Sequence, residues 1–272
     1  MNYHELLVIF ILGVVEGITE FLPVSSSGHM MLIGYLLEFN NERAKIFEVF
    51  IQFGTIFSVI IKFWEKIPKK LGIFSQKSVL MDRDDGFPFL WLLFFGMLPI
   101  VVLGFLFYEQ IKFFFELKYV MRALVLGGLL LLIAEYFAYN PPFITSINKL
   151  SYLQAFFIGC FQCFALFPGF SRAGATISGG LLIGLNRYAS FEFSFFLAVP
   201  VIFGAATLDL CKNLSFFTLQ DSLLFLVGFI TSFVVGLSSI RYFLQFIEKI
   251  TFIPFVVYRF VLASVIYFLC CD

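Results

Sequence analysis

A chain of 272 residues that is 61% hydrophobic and 13% charged, with 42 phenylalanines and no net charge, does not fit one soluble core. Soluble domains carry about 25% charged residues, so the composition excludes an ordinary globular domain and predicts an all-α polytopic membrane protein. Zero net charge argues neither for nor against a nucleic-acid partner.

The N-terminal segment MNYHE has no Lys or Arg, and no small-residue cleavage site follows the apolar run Leu6–Val15. It is therefore expected as mature structure, not a secretory signal. Residues 5–22 and 26–37 form two apolar arms, each short of the roughly 20 residues that span a bilayer. Pro23 lies between them and disfavours helix in the residue before it. Two short arms around a polar tip predict a re-entrant hairpin over about 5–37, which needs protein or water around its tip. Spans follow at about 46–64, 87–108 and 119–137. The loop 65–86 is the densest basic stretch, with Lys66, Lys69, Lys70, Lys77 and Arg83, which predicts a cytoplasmic location.

Asn140, Pro141 and Pro142 break the chain, and 140–150 reads as a connection. Residues 151–272 then repeat the plan of 1–139. A second hairpin is expected over about 152–185, followed by spans at about 190–209, 219–240 and 252–270. Sliding the chain by 146 positions places Gly13 on Gly159, Ser25 on Ser171, Gly28 on Gly174 and Phe50 on Phe196. Three spans per half is an odd number, so the halves are expected in opposite orientations, an inverted-topology repeat with its site where the broken helices meet. With loop 65–86 inside, the first hairpin enters from outside and the second from the cytoplasm. Ser26 aligns with Arg172, which predicts that the two tips face each other.

Each tip carries groups that lipid cannot solvate. The first reads EGITEFLPVSSSGH from Glu16 to His29. Glu16 and Glu20, four apart, share a helical face. Two carboxylates in a low-dielectric pocket repel, so they share a proton, hold a hard cation such as Mg²⁺ or Ca²⁺, or form a solvated interfacial pair. Ser25, Ser26, Ser27 and Gly28 open the next helix, where unpaired N–H groups and hydroxyls suit phosphate. One serine would suffice for N-capping alone. His29 offers a general base, a general acid or a nucleophile, or serves as a hydrogen-bonded structural residue. The second tip, PGFSRAGATISGG, holds Arg172, whose planar fork fits phosphate oxygens or pairs with Glu16 or Glu20. Ser171 and the N–H groups around Gly174 could help hold the same anion, and Glu48 and Gln52 are candidates for a supporting role. Cys160 and Cys163 form a C-x-x-C without a second pair or a nearby His, so they read as buried small apolar residues.

The two tip motifs, together with FEVFIQFG at 47–54 and ASFEFSFFLAVP at 189–200, closely resemble the signatures of the undecaprenyl-diphosphatase family of the bacitracin-resistance type. The resemblance covers the whole chain. It implies hydrolysis of undecaprenyl diphosphate to the monophosphate and inorganic phosphate, which recycles the lipid carrier for peptidoglycan synthesis and confers bacitracin resistance. It further implies a multi-pass protein of the bacterial inner (plasma) membrane, a site facing the periplasm and a divalent cation, Mg²⁺ or Ca²⁺. The expected partner is a lipid diphosphate and not a nucleic acid, with a homodimer left open. By motif position the family's functional residues fall on Glu16, Glu20, Ser26, Ser27, His29 and Arg172. Ser27 stands where some relatives have Thr, which keeps the hydroxyl. Ala173 stands where relatives often have Ser, which removes one phosphate contact. The competing class is a polyprenyl-phosphate transporter using the same pocket, which would not need the Ser–His combination.

Overall fold

The computed structural model describes residues 3–39, 42–66, 86–213 and 221–270, so most of the basic loop 65–86 lies outside the described residues. Helices follow in the order α1 Tyr3–Thr19, α2 Ser26–Leu36, α3 Glu42–Lys62, α4 Gly86–Leu106, α5 Tyr108–Lys112 and α6 Leu117–Phe137. After a 3₁₀ turn at Ile147–Lys149 come α7 Tyr152–Gln162, a second 3₁₀ turn Cys163–Leu166, α8 Arg172–Leu182, α9 Arg187–Asn213, α10 Ser222–Phe246 and α11 Ile253–Cys270. Among the described residues the only β pairing is one isolated bridge, Ile144 with Leu185.

Among the described residues four helices are long and apolar enough to cross a membrane: α4, α6, α9 and α10. The chain is an all-helical, multi-pass membrane protein. The other two expected spans, at 46–64 and 252–270, also form helices. α3 is 21 residues long and α11 is 18. The connection 140–150 does more than link. Ile144 donates its N–H to the Gly184 carbonyl and accepts from Asn186 N–H, so it docks on the end of α8.

The core is centred on the first half of α9, buried on every face from Ala189 to Ala198, where the polar members Ser190, Glu192 and Ser194 are each hydrogen-bonded, as buried polar groups must be. Phe191, Phe193 and Phe195 are its largest fully buried side chains. Around it α9 packs on α3 and α8, α10 packs on α1 and α3, α11 on α6, and α4 on α7. The α9 N-terminal region is pinned by ion pairs. Arg187 bonds Glu135 of α6, and Lys66 reaches Glu192 at 2.6 Å and the Tyr188 hydroxyl at 3.1 Å. Burial pushes the Lys66 pKa down, but the hydrogen bonds to Glu192 and Tyr188 outweigh it and hold it above its ordinary value.

Both polar tips turn in the same way. Ser25 and Ser171 adopt left-handed backbone angles, φ 74° and 75°, a strained state for a residue with a Cβ. Each caps an 11-residue helix, α2 or α8. Ser25 Oγ accepts from Gly28 N–H at 3.3 Å and Ser171 Oγ from Gly174 N–H at 3.0 Å. At the far ends, Leu37 and Ile183 close the helices with nearly equal angles.

Candidate active site

The end of α1 brings Glu20 to the start of α2, and the start of α8 brings Arg172 against both. Ser26 Oγ donates to Glu20 Oε2 at 2.5 Å. Arg172 donates to Glu20 Oε1 at 3.2 Å from one terminal nitrogen, and from the other to Ser194 O at 2.9 Å and Ser194 Oγ at 3.2 Å. Thr176 donates to Ser194 Oγ at 2.7 Å and so fixes that hydroxyl. Arg172 Nε is buried and has no hydrogen-bond acceptor. A second link joins the tips directly, since Gly169 N–H donates to Ser27 Oγ at 3.1 Å.

Exposure divides the expected site residues into two sets. Glu20, Ser26, Ser27 and Arg172 are partly open, while Glu16, Ser25, Gly28, His29, Ser171 and Gly174 are buried. Ser25 and Ser171 are the helix caps, so of the three hydroxyls at 25–27 Ser26 alone meets a carboxylate. The first-turn N–H groups of Ser26 and Ser27, and those of Arg172 and Ala173, have no carbonyl within their own helices, so each tip carries the electropositive end of a helix.

His29 does not face the serine hydroxyls. Its Nδ1 lies 2.7 Å from the Ser25 carbonyl, which can only accept, so Nδ1 carries the proton. Nε2 is then the acceptor for the Tyr258 hydroxyl at 2.7 Å, with the two rings stacked at 5.5 Å. Both nitrogens are engaged, so His29 links α2 to α11.

Glu16 is 2% exposed and lies in the field of Glu20 and Glu48, opposed by Arg172. Surplus carboxylate charge in a buried place suits a hard cation. Among the described residues no three His, Cys, Asp or Glu side chains come together as a ligand set. The donors present therefore fit a cation held by one or two carboxylates, with water and phosphate oxygens completing its shell. Thr55 donates its hydroxyl to the Gln52 backbone carbonyl at 2.7 Å. Cys160, expected to be buried, is exposed, on a helix whose outer surface is apolar.

Ser194, Thr176, Tyr258 and Arg259 escape a reading of the sequence. Arg259 is fully buried and donates to the carbonyls of Leu124, Pro23, Ala123, Gly169 and Phe170 at 2.7–3.3 Å. The signal was present, because a single arginine inside the apolar run IPFVVYRFVLAS is as costly in lipid as Arg172.

Comparison with known proteins gives the family. The family model described as bacitracin resistance protein BacA matches residues 9–265. A curated relative from Baumannia cicadellinicola subsp. Homalodisca coagulata, named undecaprenyl-diphosphatase, is 52% identical over 270 residues, covering 98% of each chain. The chain belongs to the bacitracin resistance protein BacA family.

Proposed function

We propose that this chain hydrolyses undecaprenyl diphosphate to undecaprenyl phosphate and inorganic phosphate at the paired tips. The observation that carries the reading is the contact Ser26–Glu20–Arg172 with a buried, unpaired Arg172 Nε beside it. A nucleophile touching a base that is itself oriented by a third group is the signature of covalent catalysis, and an unpaired guanidinium donor awaits an anion. The name of the 52%-identical relative supports the same substrate.

The steps follow from the geometry. Arg172 and the first-turn N–H groups of α2 and α8 hold the diphosphate, and their charge grows in value as phosphoryl oxygens gain charge in the transition state. Ser26 Oγ attacks the terminal phosphorus while its proton passes to Glu20. The new O–P bond forms as the bridging P–O bond breaks, and undecaprenyl phosphate leaves with the bridging oxygen. Glu20 gives that proton to the departing phosphate. It then takes one from water as the water oxygen attacks the phosphoserine, and returns it to Ser26 Oγ as the P–Oγ bond breaks and inorganic phosphate leaves. When bound, a Mg²⁺ or Ca²⁺ on Glu16 and Glu20 supplies further neutralisation of the diphosphate. His29, braced by Tyr258, positions the first turn of α2 and is not the nucleophile in this scheme.

Several observations favour an inverted-topology repeat with two re-entrant hairpins, dividing at 1–139 and 151–272. The equal lengths of α2 and α8, their matched caps and the left-handed Ser25 and Ser171 recur at one sequence offset. With the basic loop 65–86 in the cytoplasm, the first tip opens to the periplasmic side of the inner membrane. A carrier of polyprenyl phosphate would share the Arg172 pocket, but the Ser26–Glu20 contact serves bond cleavage and not transport.

The test is phosphate release from undecaprenyl diphosphate by the purified chain in detergent, with and without a chelator, alongside Arg172→Ala. Release that the variant loses while staying monodisperse supports the reading. A well-folded, metal-replete wild type that releases none overturns it.

A further inference from the structure

Arg259 poses a question that the hydrolysis scheme leaves unanswered. It lies in α11, 0% exposed, and no carboxylate is among its hydrogen-bond partners. Burying a guanidinium is expensive, and a well-packed apolar side chain in its place is often no less stable. Stability alone therefore does not account for it. Its contacts do: Nε bonds Leu124 O at 3.0 Å, and one terminal nitrogen bonds Pro23 O at 3.2 Å. The other bonds Ala123 O at 3.3 Å, Gly169 O at 3.1 Å and Phe170 O at 2.7 Å.

These carbonyls belong to three separate segments. Ala123 and Leu124 sit in α6, Pro23 in the first tip, and Gly169 and Phe170 in the second. Pro23 lies just ahead of Ser25 and Ser26, and Phe170 just ahead of Ser171 and Arg172. A rigid planar fork can fix such acceptors in one relative geometry, which a lysine point charge cannot. The surroundings are cleared for it. A Cβ at Gly127 would lie 2.2 Å from the guanidinium and 2.5 Å from Phe170 O, and one at Gly174 would lie 3.1 Å from it. The preceding residue, Tyr258, bonds His29 in the first turn of α2, so consecutive residues of α11 grip the site.

We infer that Arg259 is a positioning residue for the hydrolysis: its guanidinium locks the backbones of both tips in the register that sets Ser26 and Glu20 against Arg172. The inference rests on the hydrolase reading above. Each of its three nitrogens is engaged by carbonyls, so it acts on the reaction through the two tips and not on the phosphate. Removal should lower kcat and leave KM nearly unchanged, because Arg172 and the helix N-termini still meet the substrate.

Full-length Arg259→Lys and Gly127→Ala, purified in detergent, test this. Three quantities are measured: kcat and KM on undecaprenyl diphosphate, thermal melting, and amide hydrogen exchange across 20–28 and 167–175. The expected result for a folded Arg259→Lys is a kcat loss of about 100-fold, the scale of a misplacement of about 1 Å. KM should stay within about threefold, with faster exchange at both tips at once. Gly127→Ala, which keeps the arginine but displaces it, should shift kcat and exchange in the same direction. A folded Arg259→Lys with wild-type kcat and exchange overturns the inference, as does a raised KM with unchanged kcat, which would put the guanidinium on the substrate. Should Arg259→Lys fail to fold, a folded Gly127→Ala with wild-type kcat overturns it. If neither folds, Arg259 is structural and the inference falls. Tip exchange needs no substrate, so it decides the matter even if the wild type releases no phosphate and the hydrolase reading has failed.

Discussion

Glu20→Gln separates the roles that one carboxylate combines. Glu20 accepts from Ser26 Oγ through Oε2 and from Arg172 through Oε1, and both donors compete for the single oxygen of a glutamine. The guanidinium has no other role than donor, so the amide oxygen turns to Arg172 and the amide N–H₂ to Ser26. The serine then accepts where it formerly donated, and its proton has no base to receive it. General-base catalysis contributes about 10²–10⁴-fold, which corresponds to about 2.7–5.4 kcal/mol of barrier at ~1.36 kcal/mol per factor of ten. Arg172 keeps Ser194 O and Oγ, so the fold should lose only about 1 kcal/mol, the difference between a charged and a neutral hydrogen bond. The assay is steady-state phosphate release over a series of Mg²⁺ concentrations, with a melting curve on the same preparation. Turnover should drop by that factor and its response to Mg²⁺ should flatten, since one of two carboxylates is gone. A folded Glu20→Gln with wild-type kcat and an unchanged metal response would refute both the base and the cation assignments.

Two other substitutions probe the division of labour around Ser26. Ser26→Ala should abolish turnover, and acid quenching of the wild type with labelled substrate should trap phosphate on the chain but none on this variant. Equal labelling in both would move the nucleophile elsewhere, with His29 the next residue to test. Tyr258→Phe removes the hydroxyl from His29 Nε2. It should cost about 1 kcal/mol of stability and lower kcat by less than about tenfold, as a loosened brace. A loss as complete as that of Ser26→Ala would return His29 to the chemistry.

Much of the site is legible in the sequence because polar groups in an apolar chain are expensive. Glu16, Glu20, Ser26 and Arg172 stand out on that ground alone, and the shared offset of Ser25 with Ser171 anticipates the matched caps. Two things were not legible. His29 reads as catalytic because it adjoins the serines, and its hydrogen bond to Tyr258, a partner 229 positions distant, is one that no local pattern reveals. Arg259 obeys the same cost rule as Arg172, but its partners are backbone carbonyls, which carry no residue identity to match. The spans follow from apolar length: α4, α6, α9 and α10 are long and apolar enough to cross a membrane, and α3 and α11 form where the other two apolar stretches stand.

The clasp formed by Arg259 bears on how the protein is made. Pro23 and Arg259 are joined by one hydrogen bond, although 236 positions separate them. Insertion from the N-terminus places Glu16, Glu20 and the first tip in the bilayer long before Arg172 or Arg259 has left the ribosome. During that interval the carboxylates have neither their cationic partner nor the clasp, and the hairpin waits as an unfinished half. The last helix to emerge completes the pocket. A chain truncated before α11 would hold every motif residue of both tips and still lack the hydrogen bonds that Tyr258 and Arg259 make to them.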